Sequence, residues 1–297
     1  MSRLPPAVPP MPTFLSVSGV RTRHVALGDG PPLVLLHGIG QSLEDWHEVL
    51  APLAERHRVY ALDLIGFGLT DKPDVPYSLA GLARFVQHFL DAVGETRPAT
   101  LIGNSLGGAV AQQFAVMYPE RAARLVLVNS AGFGAEVTPL LRLLTVPRLG
   151  ERLLRPHPRS TARVVRSIFR DSAFMTPERL QHAELVAEQP NRSRAYLSVA
   201  RHLGTWRGIR PDWRDTLIRQ LAARQLPTLL IWGEYDQILP AHHLRAAQNA
   251  YPHARSHLFK NTGHLPQVER AGEFSALVLG FINVPSLQET SLQENST

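Results

Sequence analysis

The strongest constraint on the fold is an alternation along the chain. Short, dense apolar runs at 32–36, 59–62, 100–102, 125–128 and 228–232 are separated by longer segments of helical period. Such runs predict strands buried on both faces, the pattern of a mostly parallel sheet with helices on each side. Each run is followed at once by His37, Asp63, Gly103, Asn129 or Gly233. These positions matter because the working groups of open α/β sheets collect at the carboxyl ends of the strands. Helices are predicted over 79–93, rich in Ala and Leu, and over 106–118, the second stopped by Pro119.

The stretch 133–215 breaks the alternation. It is dense in Arg and Leu and carries no convincing strand. It opens one helix clearly at Thr176-Pro177-Glu178, where Thr can cap, Pro suits the first helical position and Glu complements the dipole. A helical insertion between two sheet strands predicts a lid.

With 297 residues, 44% of them hydrophobic, the chain can bury a large core, as one α/β domain or a core with a subdomain inserted in it. The absence of cysteine rules out disulfides, a thiolate nucleophile and a Cys-based metal site, and favours a reducing compartment. Chemistry therefore falls to Ser, His and carboxylates. The first twelve residues are Pro-rich without the apolar core of a signal peptide, and no stretch approaches the roughly 18 uninterrupted apolar residues of a membrane span. A soluble, cytoplasmic protein is expected. The net charge of +6 and pI near 10.1 come mostly from scattered arginine, with no Lys-rich run and no interleaving of aromatic and basic residues, which argues against a nucleic-acid partner. The tail after 285 repeats Ser-Leu-Gln-Glu at Ser286 and Ser291 and reads as a frayed end. A homodimer would leave no sequence mark, so oligomeric state stays open.

The sharpest chemical signal is Gly103-Asn104-Ser105-Leu106-Gly107, followed by Gly108, directly after one predicted strand and directly before a helix. That context makes it a nucleophile elbow: a strained turn lifts the Ser105 hydroxyl clear of the sheet, and the helix N-terminus favours developing negative charge. A serine hydroxyl is inert at its free pKa and needs a base within hydrogen-bond reach, itself held by a carboxylate. Among 13 histidines, His264 stands out because Asn261-Thr262-Gly263-His264 follows a β-like run at 254–260 that should be the last strand. Asp236 lies just past a strand in Trp232-Gly233-Glu234-Tyr235-Asp236, where the Gly233 turn gives it room to face the His264 loop. Glu234, Asp63 and Asn129 are rivals at strand ends. A tetrahedral intermediate also needs two preorganised donors. The Ile39 N–H in His37-Gly38-Ile39-Gly40 and the Leu106 N–H are the candidates, each worth about 3 kcal/mol. His37 is expected to hold its loop by side-chain hydrogen bonds rather than to act as a second base.

Together His37-Gly38-Ile39-Gly40, Asp63-Leu64-Ile65-Gly66-Phe67-Gly68-Leu69-Thr70, Gly103 to Gly108, Trp232 to Asp236 with Ile238 to Pro240, and Gly263-His264 resemble the α/β-hydrolase fold family. The likeness runs from about residue 14 to 282, and the order Ser105, Asp236, His264 is the one that fold requires. Composition and Gly103-Asn104-Ser105 are similar to the branch that holds carboxylesterases and the hydrolases that cleave C–C bonds of ring-fission dienoates. The resemblance implies an α/β fold, with a hydrolase core over 13–132 and 216–283 and a helical cap over 133–215. The ends, 1–12 and 284–297, are expected to be extended and flexible.

The resulting expectation is a serine hydrolase that cleaves an ester or related acyl bond of a small to medium substrate through an acyl-enzyme, with no cofactor and no metal. Haloalkane dehalogenases and epoxide hydrolases use an Asp where this chain has Ser105, which sets them aside. The ring-fission C–C hydrolases usually carry Trp after the histidine, where this chain has Leu265, and a lid Arg that pairs with the substrate carboxylate. C–C cleavage is therefore the alternative, and a catalytically silent binding protein on the same fold is a third reading. Arg142, Arg148, Arg152, Arg155, Arg159, Arg163, Arg166 and Arg170 would suit an anionic substrate or simply a solvated helical face, and Arg201, Trp206 and Arg207 are further candidates to line a pocket.

Overall fold

The structure, a computed structural model, describes residues 11–155 and 157–283. The tail at 284–297 and all but Met11 and Pro12 of the N-terminal segment lie outside those residues.

Eight strands form one sheet: β1 (Thr13–Val17), β2 (Val20–Leu27), β3 (Pro32–Leu36), β4 (Arg58–Leu62), β5 (Ala99–Asn104), β6 (Ala122–Val128), β9 (Thr228–Gly233) and β10 (Arg255–Phe259). Two very short strands, β7 (Gly204–Thr205) and β8 (Gly208–Ile209), pair separately. The sheet order is β1-β2-β4-β3-β5-β6-β9-β10. β2 is antiparallel to β1 and β4, and every pairing from β4 to β10 is parallel.

Central strands send alternate side chains to opposite faces, so an unbroken apolar run feeds two cores at once. Val34, Leu36, Leu101, Leu125, Leu127, Leu230 and Trp232 join one cluster. Leu33, Leu35, Ile102, Val126, Val128, Leu229 and Ile231 join the other. The first cluster is covered by α2 (Leu79–Ala92), α3 (Leu106–Met117), α9 (Pro211–Ala222) and α10 (His243–Ala250). The second is covered by α1 (His47–Ala54) and α12 (Ala271–Ile282), with Trp46 just before α1 and Phe274 within α12 both fully buried. Each buried leucine contributes roughly 1.5–3 kcal/mol of transfer free energy, which makes these two layers the main stabilising term.

Between β6 and β9 the chain runs through α4 (Pro139–Leu144), α5 (Leu149–Leu153), α6 (Pro158–Ile168), α7 (Pro177–Ala187) and α8 (Arg192–Leu203). The Thr176 side chain accepts from the Arg179 N–H at 3.3 Å with Pro177 in the first turn, the cap that the sequence predicts for α7. Two features depart from the sequence reading of 133–215. The β7–β8 ribbon supplies strands where none was expected, each only two residues long. Asp215 falls inside α9, which packs on α3 of the core and is tied to α8 by the Trp213 Nε1–H donating to the Leu203 carbonyl at 2.8 Å. Among the described residues no helix is long and apolar enough to cross a membrane. A short helix, α11 (Pro266–Glu269), follows the His264 loop.

Candidate active site

Strand β5 and helix α3 meet at Ser105, whose backbone takes φ 54°, ψ −113°, in the left-handed half of conformational space. A non-glycine residue held there costs about 1–3 kcal/mol and persists only where its surroundings over-determine it. They do so here. The Ser105 N–H donates to the Val128 carbonyl at 3.0 Å, and the Ser105 carbonyl accepts from Ala131 N–H at 3.0 Å. Glycine is needed on both sides for contact reasons. A β-carbon on Gly103 would lie 2.3 Å from the Gly107 oxygen, and one on Gly107 would lie 2.0 Å from the Leu36 oxygen.

His264 is 3% exposed, and its Nδ1 lies 2.7 Å from Asp236 Oδ2. The same oxygen accepts from Asn129 Nδ2 at 2.5 Å, while Oδ1 accepts from the Ile238 and Leu239 N–H groups at 2.7 and 3.0 Å. A carboxylate so loaded with donors accepts from the imidazole, which puts the proton on Nδ1 and leaves Nε2 free to take another. The main chain around His264 is fixed from two sides. Its N–H donates to Ile168 at the end of α6, 2.8 Å, and its carbonyl accepts from Asn104 Nδ2, 3.0 Å. The elbow residue beside Ser105 thus holds the histidine loop. Among the described residues no direct Ser105 Oγ–His264 hydrogen bond is formed. Such bonds are commonly long in the absence of substrate and tighten in the Michaelis complex.

The rival acids are engaged elsewhere. Glu234 binds Lys260 Nζ at 2.8 Å and the Asn261 N–H at 3.1 Å, and the lysine holds its carboxyl below the ordinary range. Asp63, fully buried, accepts from the Leu43 and Leu69 N–H groups at 2.8 Å each, and burial pushes its carboxyl upward. Asn129 donates to Asp236 instead of replacing it. His37 lies in the loop after β3, with Nδ1 2.7 Å from the Gly38 carbonyl and Nε2 accepting from the Leu64 N–H at 3.0 Å. Both ring nitrogens are used, and burial lowers its pKa, so it works as a loop brace.

Ile39, Ser105 and Leu106 share the wall of one cavity of about 60 Å³, with Leu141, Leu203 and Ile238 closing it from the inserted helices and the Asp236 loop. Among the described residues, the Ile39 and Leu106 N–H groups donate to no protein acceptor. No arginine lines this cavity. Arg142 donates to the Val137 carbonyl, Arg201 pairs with Glu151 at 2.8 Å, and Arg207 lies over the exposed Trp206 ring.

Sequence reasoning missed the supports. Asn104 sits inside the elbow motif, but nothing in the spacing ties it to His264. Glu269 accepts from Gly263 N–H at 2.7 Å and from the Arg170 and Asp171 N–H groups at 3.0 and 3.2 Å, joining the His264 loop to the segment after α6. Burial pushes the Glu269 carboxyl upward against those three donors.

With this geometry, the model of the α/β-hydrolase fold matches residues 31–271, and the chain belongs to that family. It is 33% identical over 276 residues to 2-hydroxymuconate semialdehyde hydrolase of a Pseudomonas species, covering 89% of this chain and 91% of that protein. Among solved structures it resembles a meta-cleavage product hydrolase from Pseudomonas fluorescens, with a TM-score of 0.78, 27% identity, and 91% and 97% of the two chains covered. It also resembles a putative lipase from Acinetobacter baumannii, with a TM-score of 0.78, 25% identity, and 92% and 90% covered. The chain is a hydrolase by family, and its relatives carry both meta-cleavage product hydrolase and lipase names.

Proposed function

We propose that the protein is a serine hydrolase acting on a carboxylic ester or related acyl bond of a small to medium apolar substrate. Ser105 Oγ attacks the carbonyl carbon while its proton passes to His264 Nε2. The oxyanion rests on the Ile39 and Leu106 amides, and the imidazolium is stabilised by Asp236. His264 then protonates the departing alcohol, and a water molecule deprotonated by the same imidazole releases the acid. The observation that carries this reading is the 2.7 Å His264–Asp236 contact, made by a histidine tied through Asn104 to the strand end that bears Ser105.

The helices between β6 and β9 act in this reading as a cap. The cavity beneath them, about 60 Å³, is far below the roughly 300 Å³ of an ordinary ligand site, so substrate entry calls for an outward shift of α4 and α8. The second reading, C–C cleavage of a ring-fission dienoate, is supported by the likeness to 2-hydroxymuconate semialdehyde and meta-cleavage product hydrolases. The apolar, arginine-free lining and Leu265 favour the ester. A panel of p-nitrophenyl esters, lactones and dienoates, assayed on wild type and His264→Ala, separates them. Esters turned over fastest, with activity lost in His264→Ala, support the first reading. Dienoates turned over much faster than every ester would replace it with the second, and no turnover of any member in folded protein would leave a binding role.

A further inference from the structure

Outside the Ser105 cavity, Glu136, His242 and His243 bring a carboxylate and two imidazoles to one spot, with their ligating atoms all within 4.8 Å of one another. We propose that these three side chains bind a divalent transition metal of the Zn²⁺ class, which staples the first turn of the inserted segment to the core. The donor set, two imidazoles and one carboxylate, is one that zinc accepts with a water completing four-coordination.

Bond lengths of about 2.0–2.2 Å place the ligand atoms of a tetrahedral centre about 3.4 Å apart. Glu136 Oε2 lies 3.1 Å from His243 Nε2, at hydrogen-bond distance, and 3.7 Å from His242 Nε2, so the two separations bracket that value. The two rings stand edge-on to one another, centroids 4.9 Å apart, so neighbouring residues at the start of α10 converge on one carboxylate. His243 is 1% exposed and its ring is fixed edge-to-face against Trp232, which gives the site one preoriented ligand. A β-carbon on Gly134 would lie 2.2 Å from His243 Nε2, so this approach of chain to imidazole requires glycine. Glu136 and His242, 54% and 63% exposed, leave an open path for the ion and a solvent-facing fourth position.

The location gives the staple a consequence. Glu136 lies between β6 and α4, and nearby Thr138 N–H donates to the Ile238 carbonyl at 3.1 Å. On the other side, His243 N–H donates to the Pro240 carbonyl at 2.9 Å. The metal would therefore join the loop that enters the inserted segment to the start of α10, just beyond the loop that carries Asp236. No motif spacing reveals this site, because Glu136 and His243 are 107 positions apart.

The test uses untagged, full-length protein stripped of metal, with Zn²⁺ titrated by calorimetry and counted after gel filtration. Wild type should retain one equivalent of Zn²⁺ per chain and melt at a higher temperature with it than without. His242→Ala and Glu136→Gln alter exposed groups, so they should fold and melt like wild type in metal-free buffer. Each should weaken the Zn²⁺ Kd by roughly tenfold or more, the loss typical of disturbing only the groups behind a ligand. His264→Ala should keep its equivalent. Retention of no Zn²⁺ by wild type, or undiminished binding in both His242→Ala and Glu136→Gln, overturns the proposal. Binding abolished only by His264→Ala overturns it as well, by moving the ion to the Asp236–His264 pair.

Discussion

At the scale of single residues, the site turns on how Asp236 divides its oxygens. One faces two backbone amides, and the other faces Asn129 and His264. Replacing Asp236 with Asn keeps the shape but offers an amide hydrogen where the imidazole needs an acceptor, which favours the wrong tautomer. Initial rates on a p-nitrophenyl ester should fall about 10⁴-fold in kcat with KM little changed. A loss under tenfold would mean that Asp236 does not orient the base. Ser105, His264 and Asp236 were legible because each follows a strand in a loop marked by glycine, and the fold's order of residues selects among rivals. The preference for Asp236 over Glu234 gains physical support from the pairing of Glu234 with Lys260, which no spacing in the sequence marks. Asn104 was illegible as a support, since its partner is a carbonyl 160 positions away that no side-chain pattern reports.

At the scale of elements, two loops, the one that carries His264 and the segment after α6, are held by the carboxylate of Glu269. Glu269→Ala leaves the Gly263, Arg170 and Asp171 amides without that acceptor; only the Gly263 bond is buried, and one unsatisfied buried donor costs about 1–3 kcal/mol. Urea unfolding should show a loss of about 1–3 kcal/mol, and kcat should fall with it because the His264 loop loses its brace. Unchanged stability and kcat would show that the α6 end and the His264 loop hold without it. Strand legibility follows burial. β3, β5, β6 and β9 are covered on both faces and read as apolar runs. β1 and β2 form an antiparallel hairpin at the edge, where Arg21, Thr22, Arg23 and His24 interrupt any run. The two-residue strands β7 and β8 are too short for any periodicity to mark.

Across the fold, one sheet with two apolar layers fixes the positions of the loops that carry the proposed site. The parallel order places the ends of β5, β9 and β10 along one edge, where Asp236 meets His264 and Asn104 holds the His264 carbonyl. The role of Ser105 as the group that bonds to substrate is read by stoichiometric labelling with a fluorophosphonate followed by intact-mass measurement. Wild type should gain one adduct per chain, mapped by peptide sequencing to Ser105, and folded Ser105→Ala should gain none. An unlabelled wild type, or equal labelling of Ser105→Ala, would remove Ser105 from the role of nucleophile.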